Sequence, residues 1–240
     1  MTDMEGYWAL ARRAAAEGVR TVTPAGGALV RWAVGTGPEV WAQIDPAGDV
    51  VGATPYFSPS DSFRISVTGS GEDPGARLEG WIDGWLEPSE EDEPYSGIFP
   101  LRINLVDYAV SSRRLTQYPA LHRVELIALA HEADVYDDEA AYKAAPGDTF
   151  RFPMQSFVST AHSSADDPQP FAEATALASG KVSEAALVIN PATEATFWRV
   201  ALETQGMTLP VFIAPADVGG PIRPGQILSG GFWLLGHLLD

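Results

Sequence analysis

Glycine, proline and aspartate interrupt this chain so often that most of it has room only for short strands. The sequence holds 23 glycines and 19 prolines in 240 residues. Between these turn signals lie runs in which apolar and polar residues alternate, most clearly over residues 62–67. Alternation of this kind puts one face of a strand in a core and the other in solvent. The sequence therefore predicts a mainly β protein made of antiparallel meander or barrel modules.

Four segments need separate treatment. Residues 3–18 have helical spacing and end at a glycine, which predicts an N-terminal helix. Residues 122–136 have the composition of a helix, yet their apolar positions alternate, and we predict a long strand covered on both sides. Asp137 is an acceptable N-cap for a short helix near 137–145. The Gly230-Gly231 pair predicts a bulge in the last strand.

The best candidate for an internal boundary is the polar segment 161–170, which contains two prolines. It predicts an N-terminal, mostly β domain with the leading helix over 1–160, a linker over 161–170 and a C-terminal β domain over 171–240. A Trp-x-x-Gly-x-Leu pattern occurs at Trp81 and again at Trp233. Either duplication of a β module or chance accounts for this repeat.

Two motifs characterise the C-terminal third. Gly180-Lys181-Val182 opens a long strand, and Pro224-Gly225-Gln226-Ile227-Leu228-Ser229-Gly230 sets alternating apolar residues between glycines. With the two tightly connected strands and the crossover loop between these motifs, the segment resembles an oligonucleotide/oligosaccharide-binding (OB) fold, although no fifth strand is evident. The resemblance implies a small barrel that binds a small ligand or a single-stranded nucleic acid.

Charge and cysteine content narrow the range of functions. The chain has 32 acidic and 15 basic residues, a net charge of −17, and no cysteine. Phosphate backbones and anionic membranes repel such a surface, which indicates either solubility alone or a basic protein partner. The lack of cysteine excludes disulfides, thiolate catalysis and cysteine-ligated metals. Asp3, Glu5 and the Arg12-Arg13 pair do not suit a signal peptide, so we expect a cytoplasmic protein.

The usual catalytic and metal-binding motifs are missing or incomplete. There is no Gly-x-Ser-x-Gly elbow, and Gly35-Thr36-Gly37 has Val40 where a dinucleotide fingerprint needs its third glycine. His131-Glu132 begins like a zinc-protease helix, but Val135 stands at the second ligand position, and we interpret His131 as a structural residue of a buried strand. The acidic cluster from Glu132 to Glu139 suits a helix start better than a cation site. We predict no catalytic residue, metal or cofactor.

Aromatic residues are the remaining candidates for a binding site. Two of them lie four apart and hence on one face of a strand, with an aspartate between them, and two others follow a phenylalanine. Core packing is the competing interpretation for most of these side chains. The candidate binding residues are Trp81, Asp83, Trp85, Trp198 and Trp233.

Three functions stay open from the sequence. The favoured one is a non-enzymatic interaction module, for instance an inhibitor or immunity-like protein for a basic partner. The second is an OB-like domain that binds a small ligand or single-stranded nucleic acid, although the net charge disfavours nucleic acid. The third is an enzyme whose carboxylates and histidines come together only in the fold.

Overall fold

The computed structural model describes residues 4–73, 76–90, 92–145, 152–162 and 173–239 and confirms a mainly β protein. Within these ranges, no helix is both long and apolar enough to cross a bilayer. The helices are α1 (Met4–Glu17), α2 (Tyr108–Ser111) and α3 (Glu139–Ala144). The strands are β1 (Val19–Val22), β2 (Ala28–Ala33), β3 (Pro38–Ile44), β4 (Val50–Phe57), β5 (Phe63–Asp73), β6 (Ala76–Leu86), β7 (Pro100–Leu105), β8 (Ala120–Tyr136), β9 (Ser156–Ser159), β10 (Thr175–Ile189), β11 (Thr196–Thr204), β12 (Met207–Ile213) and β13 (Ile227–Leu238).

Most elements lie where the sequence predicts them. The long strand β8 and the N-terminal helix α1 are confirmed. The cap of α3 is one residue later than predicted, because Asp138 rather than Asp137 accepts the backbone N–H of Ala141 at 2.7 Å. Most of the predicted linker, residues 163–170, lies outside the described residues.

The small sheet, in the order β1-β2-β3-β4, lies between α1 and the rest of the protein. Ala14 of α1 packs against Val30 and Ala42 on one face of this sheet. The hydroxyl of Tyr7 donates to the carbonyl of Ala53 at 3.0 Å and accepts from its N–H at 2.8 Å, which fixes the helix to β4. The other face, with Trp41 and Tyr56, packs on the large sheet in an apolar layer shared with Phe212 and Leu235.

The large sheet contains the same strand arrangement twice. Strands β5, β6 and β7 are consecutive and antiparallel, and β8 returns to lie beside β5. Strands β10, β11 and β12 repeat this order, and β13 returns to lie beside β10. Three consecutive strands with the fourth beside the first form a Greek key. The chain downstream of β4 therefore forms two Greek keys, with β9 as an additional strand beside β10.

Each Greek key supplies the strand that closes the other. Strand β13 pairs in parallel with β7, and β8 pairs in parallel with β12. The two fourth strands also pair with each other, antiparallel, from Ile227↔Tyr136 to Leu238↔Val124. These ladders close the two rings β5-β6-β7-β13-β8 and β10-β11-β12-β8-β13, which share β8 and β13. One buried cluster contains residues of both rings, including Leu86 and Val200.

Because β8 and β13 each close the ring of the other Greek key, the predicted division into two domains can be compared with the strand pairing. The strand missing from the C-terminal pattern is β8, which lies before the predicted linker. The division into 1–160 and 171–240 stays a prediction, while one ladder joins the two parts. The Trp-x-x-Gly-x-Leu repeat does not follow the repeated topology, because Trp81 lies on the second strand of its key and Trp233 on the fourth.

A bulge in β8 corrects two expectations. Gly231 pairs with Glu132 and Phe232 pairs with Ala130, so the extra residue is His131 and not a glycine of β13. His131 is exposed, which contradicts its assignment as a structural residue of a buried strand. Bulges turn a side chain out of the regular alternation and are frequent beside functional sites.

The shared ladder predicts that damage to β13 destabilises both rings together. Phe232 is fully buried in the common core. We expect Phe232→Ala to lower the free energy of unfolding by about 3–5 kcal/mol, the usual cost of such a truncation. Urea unfolding followed by tryptophan fluorescence and far-UV circular dichroism measures this, with the exposed Leu239→Ala as control. Two separate unfolding transitions, of which Phe232→Ala shifts only one to lower urea concentration, would contradict a shared core.

Candidate binding site

A cavity of about 300 Å³ lies between the small sheet and the outer wall of the first ring. Gln43 of β3 and Thr54 of β4 line it from the small sheet. Trp81 of β6, Asn104 of β7 and Trp233 of β13 line it from the ring. A volume near 300 Å³ is at the lower end of the range for small-molecule sites. We refer to this space as the cleft.

The side chain of Trp81 is held by its neighbours. The guanidinium carbon of Arg102 lies 3.7 Å from the centroid of the indole. Arg102 in turn donates from Nε and Nη2 to the two carboxylate oxygens of Asp83, each at 2.8 Å. On the paired strand, a Cβ at Gly71 would lie 2.5 Å from Cζ2 of Trp81, so the indole needs a glycine at this position. These contacts leave the ring little freedom to move.

Trp233 is fixed by a hydrogen bond to a neighbouring strand. Its Nε1 donates to Oδ1 of Asn104 at 2.8 Å. Asn104 pairs in register with Trp81 on one side and with Leu235 on the other. The two tryptophans are therefore positioned by three adjacent strands, and their orientation is set before any ligand arrives.

The polar groups of the cleft are mostly acidic. Asp73, Glu79 and Glu173 line it, together with His131. Glu79 Oε1 accepts from Nε2 of Gln43 at 2.8 Å, which links the ring to the small sheet. No lysine or arginine is found among the described lining residues. Carboxylates beside tryptophan faces attract cations through charge and through the ring quadrupole.

The structure brings two of the five sequence candidates together in the cleft. Trp81 and Trp233 line it, whereas Asp83 is occupied by its ion pair with Arg102. Trp85 shares the outer face of β6, away from the cleft, and its ring meets Tyr95 edge to face at 6.3 Å. Trp198 on β11 packs against the common core.

Several lining residues could not be selected from the sequence. Gln43, Glu79, Asn104 and Glu173 come from four separate segments that only the fold assembles. Asn104 alone gives a local signal, as a half-buried amide in the otherwise apolar stretch Ile103-Asn104-Leu105. The other three look like ordinary surface residues in the sequence.

A second polar cluster lies in the layer between the two sheets and does not line the cleft. Nδ1 of His237 is 3.1 Å from Oε2 of Glu125, and its Nε2 is 3.9 Å from Oδ2 of Asp107. Nη2 of Arg114 lies 3.5 Å from the same Asp107 oxygen. Tyr56 donates to the carbonyl oxygen of Glu125 at 3.3 Å, which joins the small sheet to β8.

Burial raises the pKa of two members of this cluster, Asp107 and Tyr56. Removal from water raises the pKa of the Asp107 carboxyl, although His237, the backbone N–H of Leu238 and Arg114 act in the opposite direction. Burial also raises the pKa of the Tyr56 hydroxyl, and the charges of Glu125 and Glu39 add to that effect. The phenol therefore stays protonated and donates its hydrogen bond at every physiological pH.

The candidate cation site is not formed in the described part of the chain. No group of three or more His, Asp or Glu side chains converges there to hold a metal ion. The comparison with known proteins gives no further guide, since no family model, no curated protein and no solved structure matches this chain.

The raised pKa of Asp107 predicts a specific pH dependence of stability. A carboxyl whose pKa is higher in the folded state contributes stability at low pH, and this contribution is lost as the pH rises through the folded-state pKa. The stability of the wild type relative to Asp107→Asn should therefore fall as the pH rises above 3.8, the ordinary pKa of an aspartate carboxyl. Urea unfolding at several pH values measures this difference.

The exposed turn residue Asp49 supplies the control, since Asp49→Asn should show no such trend. A wild-type advantage over Asp107→Asn that grows with pH would mean that His237 and Arg114 outweigh the cost of burial.

Proposed function

We propose that this protein is a non-enzymatic binding module for a basic protein, and that the cleft receives a cationic side chain of that partner. The observation that carries the proposal is the pair of fixed tryptophans, Trp81 and Trp233, beside three carboxylates. Because Arg102 covers one face of Trp81, an incoming guanidinium or ammonium group would meet the indole of Trp233 or the remaining side of Trp81, with a carboxylate in the same space.

The charge of the whole chain supports a basic partner. The net charge of −17 produces a negative potential that attracts basic proteins and speeds their association. The cavity of about 300 Å³ has room for the end of a long side chain but not for a large cofactor.

The topology supports the assignment of each ring as an OB-like barrel. Each ring has five strands in Greek-key order, which is the architecture of that fold. Single-stranded nucleic acid would also use aromatic side chains, but it needs a positive groove beside them. The described lining residues of the cleft include no lysine or arginine, which favours a cation over a phosphate backbone.

An enzymatic function receives less support. Among the described residues, carboxylates lie near a histidine in two places: Asp107 and Glu125 with His237 outside the cleft, and three carboxylates with His131 along the cleft, where they do not converge closely enough to hold a metal ion. The group around His237 has a structural role, because it ties β8 and β13 to the segment after β7, and Tyr56 of the small sheet donates to the backbone carbonyl of Glu125.

Binding of a single cationic group tests the proposal directly. N-acetyl-L-arginine amide is the probe, and its citrulline analogue is a neutral control of nearly the same shape. We expect calorimetry to show binding of the arginine compound only. Trp81→Ala should weaken it about tenfold, because a desolvated cation–π contact contributes about 1–2 kcal/mol.

The chain offers a matched control for this variant. Trp85 lies on the same face of β6 but does not line the cleft, so Trp85→Ala should bind the arginine compound as the wild type does. Glu79→Gln should weaken binding without removing the contact to Gln43. Equal binding of the citrulline compound would contradict recognition of a cation.

Capture from the native lysate tests for the partner itself. The tagged protein should retain a basic protein close to one-to-one at low salt and release it at high salt, as charge attraction requires. Mass spectrometry identifies the captured protein, and the Trp81→Ala variant should retain less of it. Capture that is independent of salt and of Trp81 would place the interaction elsewhere.

A further inference from the structure

A second cavity adjoins the cleft at His131. It has a volume of about 500 Å³ and is lined by His131, Glu132 and Asp134 of β8, by Leu177 of β10, and by Asp217, among others. His131 also lines the cleft, so one side chain forms a wall of both spaces. The two cavities therefore meet at a single residue of the strand that the rings share.

The bulge turns the residue after His131, Glu132, out of the core. Before it, Ala130 packs against the common core, and after it Ala133 does so. In a regular strand, residues that face the same side are separated by an even number of positions. Ala130 and Ala133 are three positions apart, so two consecutive residues, His131 and Glu132, lie outside the core. Both are exposed. The bulge thus gives β8 two neighbouring exposed side chains where a regular strand would bury one of the two.

The second cavity has the same sign of charge as the cleft. Glu132, Asp134 and Asp217 line it, and its described lining residues include no lysine or arginine. Leu177, with 36% of its surface exposed, and Phe152 supply an apolar part. Such a surface suits a long basic side chain, whose methylene groups cover apolar atoms while its charge meets the carboxylates.

We propose that the two cavities form one groove for an extended basic segment of the partner protein. One cationic side chain enters the cleft between Trp81 and Trp233. A second cationic side chain lies in the adjoining cavity, with its methylene groups on Leu177 and its charged end near Asp134 and Asp217. The backbone between them passes His131. This inference rests on the proposed function, because it names the part of the basic protein that binds.

Charge complementarity favours an extended basic segment over a nucleic acid or a single small cation. Six carboxylates line the two cavities, three in each, and the only described lining group that can carry positive charge is His131. A nucleic acid strand would bring its phosphates against these carboxylates. A single small cation would fill one cavity and leave the other empty, whereas an extended chain with two basic residues occupies both.

Peptides with two arginines at variable spacing test the groove. The probes are acetylated Arg-(Gly)n-Arg amides with n from one to five, compared by calorimetry with N-acetyl-L-arginine amide. Two linked groups gain affinity only when the linker spans both sites. We expect one spacing to bind at least about ten times more tightly than the single arginine, and citrulline in place of either arginine to abolish that gain.

Variants in the second cavity separate this inference from the proposed function. Asp134→Asn/Asp217→Asn should remove the gain of the best peptide and leave binding of the single arginine unchanged. Asp49→Asn/Asp92→Asn makes the same change of charge at exposed positions that line neither cavity, and should leave the gain intact.

The possible results are distinct. Binding of the single arginine without any gain at any spacing overturns the groove and leaves the cleft as the site. Failure of the single arginine to bind overturns the proposed function, whatever the peptides do. An oligothymidylate that displaces the best peptide overturns the assignment of the groove to a basic segment.

Discussion

The ladder between β8 and β13 is the interaction on which the rest of the fold depends. Each strand closes the ring that the other half of the chain begins, so neither ring is complete without it. The two strands are long for that reason. Their first and second halves must pair on the outer edge with different partners, β5 then β12 for β8, and β10 then β7 for β13.

The cleft is a consequence of the same ladder. Trp233 lies on β13, and its hydrogen bond reaches Asn104 on β7 because these two strands are neighbours in the first ring. Trp81 follows on the next strand. The small sheet then covers this wall, anchored by Trp41 and Tyr56, and leaves the cleft open at one part of the interface. Trp233 would be missing from this wall if each half of the chain folded separately.

Local patterns were sufficient to predict the strands but not their partners. Alternation in β6 predicted that Trp81 and Trp85 share a face, and alternation in β8 outweighed its helical composition. Strand β1 has no buried residue and β4 contains Gly52 and Pro55, so neither shows a clear pattern. The parallel pairings that close the rings involve only two residue pairs each, which no local signal encodes.

The site was predicted only in part, because its residues are also brought together by long-range contacts that no local pattern encodes. Tryptophan is large and rare and is therefore easy to select as a candidate from a sequence. Two of the cleft residues, Trp81 and Trp233, were predicted in this way. The carboxylates of the cleft differ from other acidic residues only in their position in the folded chain. Glu79 and Glu173 are distant in sequence, and only the folded chain puts them beside the same two indoles. Among 32 acidic residues, the sequence offers no basis for selecting three.

Rigidity is what makes the cleft suited to binding rather than to packing alone. Arg102 lies on one face of Trp81, the indole needs a glycine at position 71 of the neighbouring strand, and Gln43 of the facing sheet holds Glu79. A ligand that enters therefore orders few side chains, and the entropy cost of binding is small. Arg102 provides an internal example of the proposed contact, because its guanidinium lies on one face of an indole with a carboxylate beside it. The protein thus contains, within its own fold, the contact that we assign to its partner.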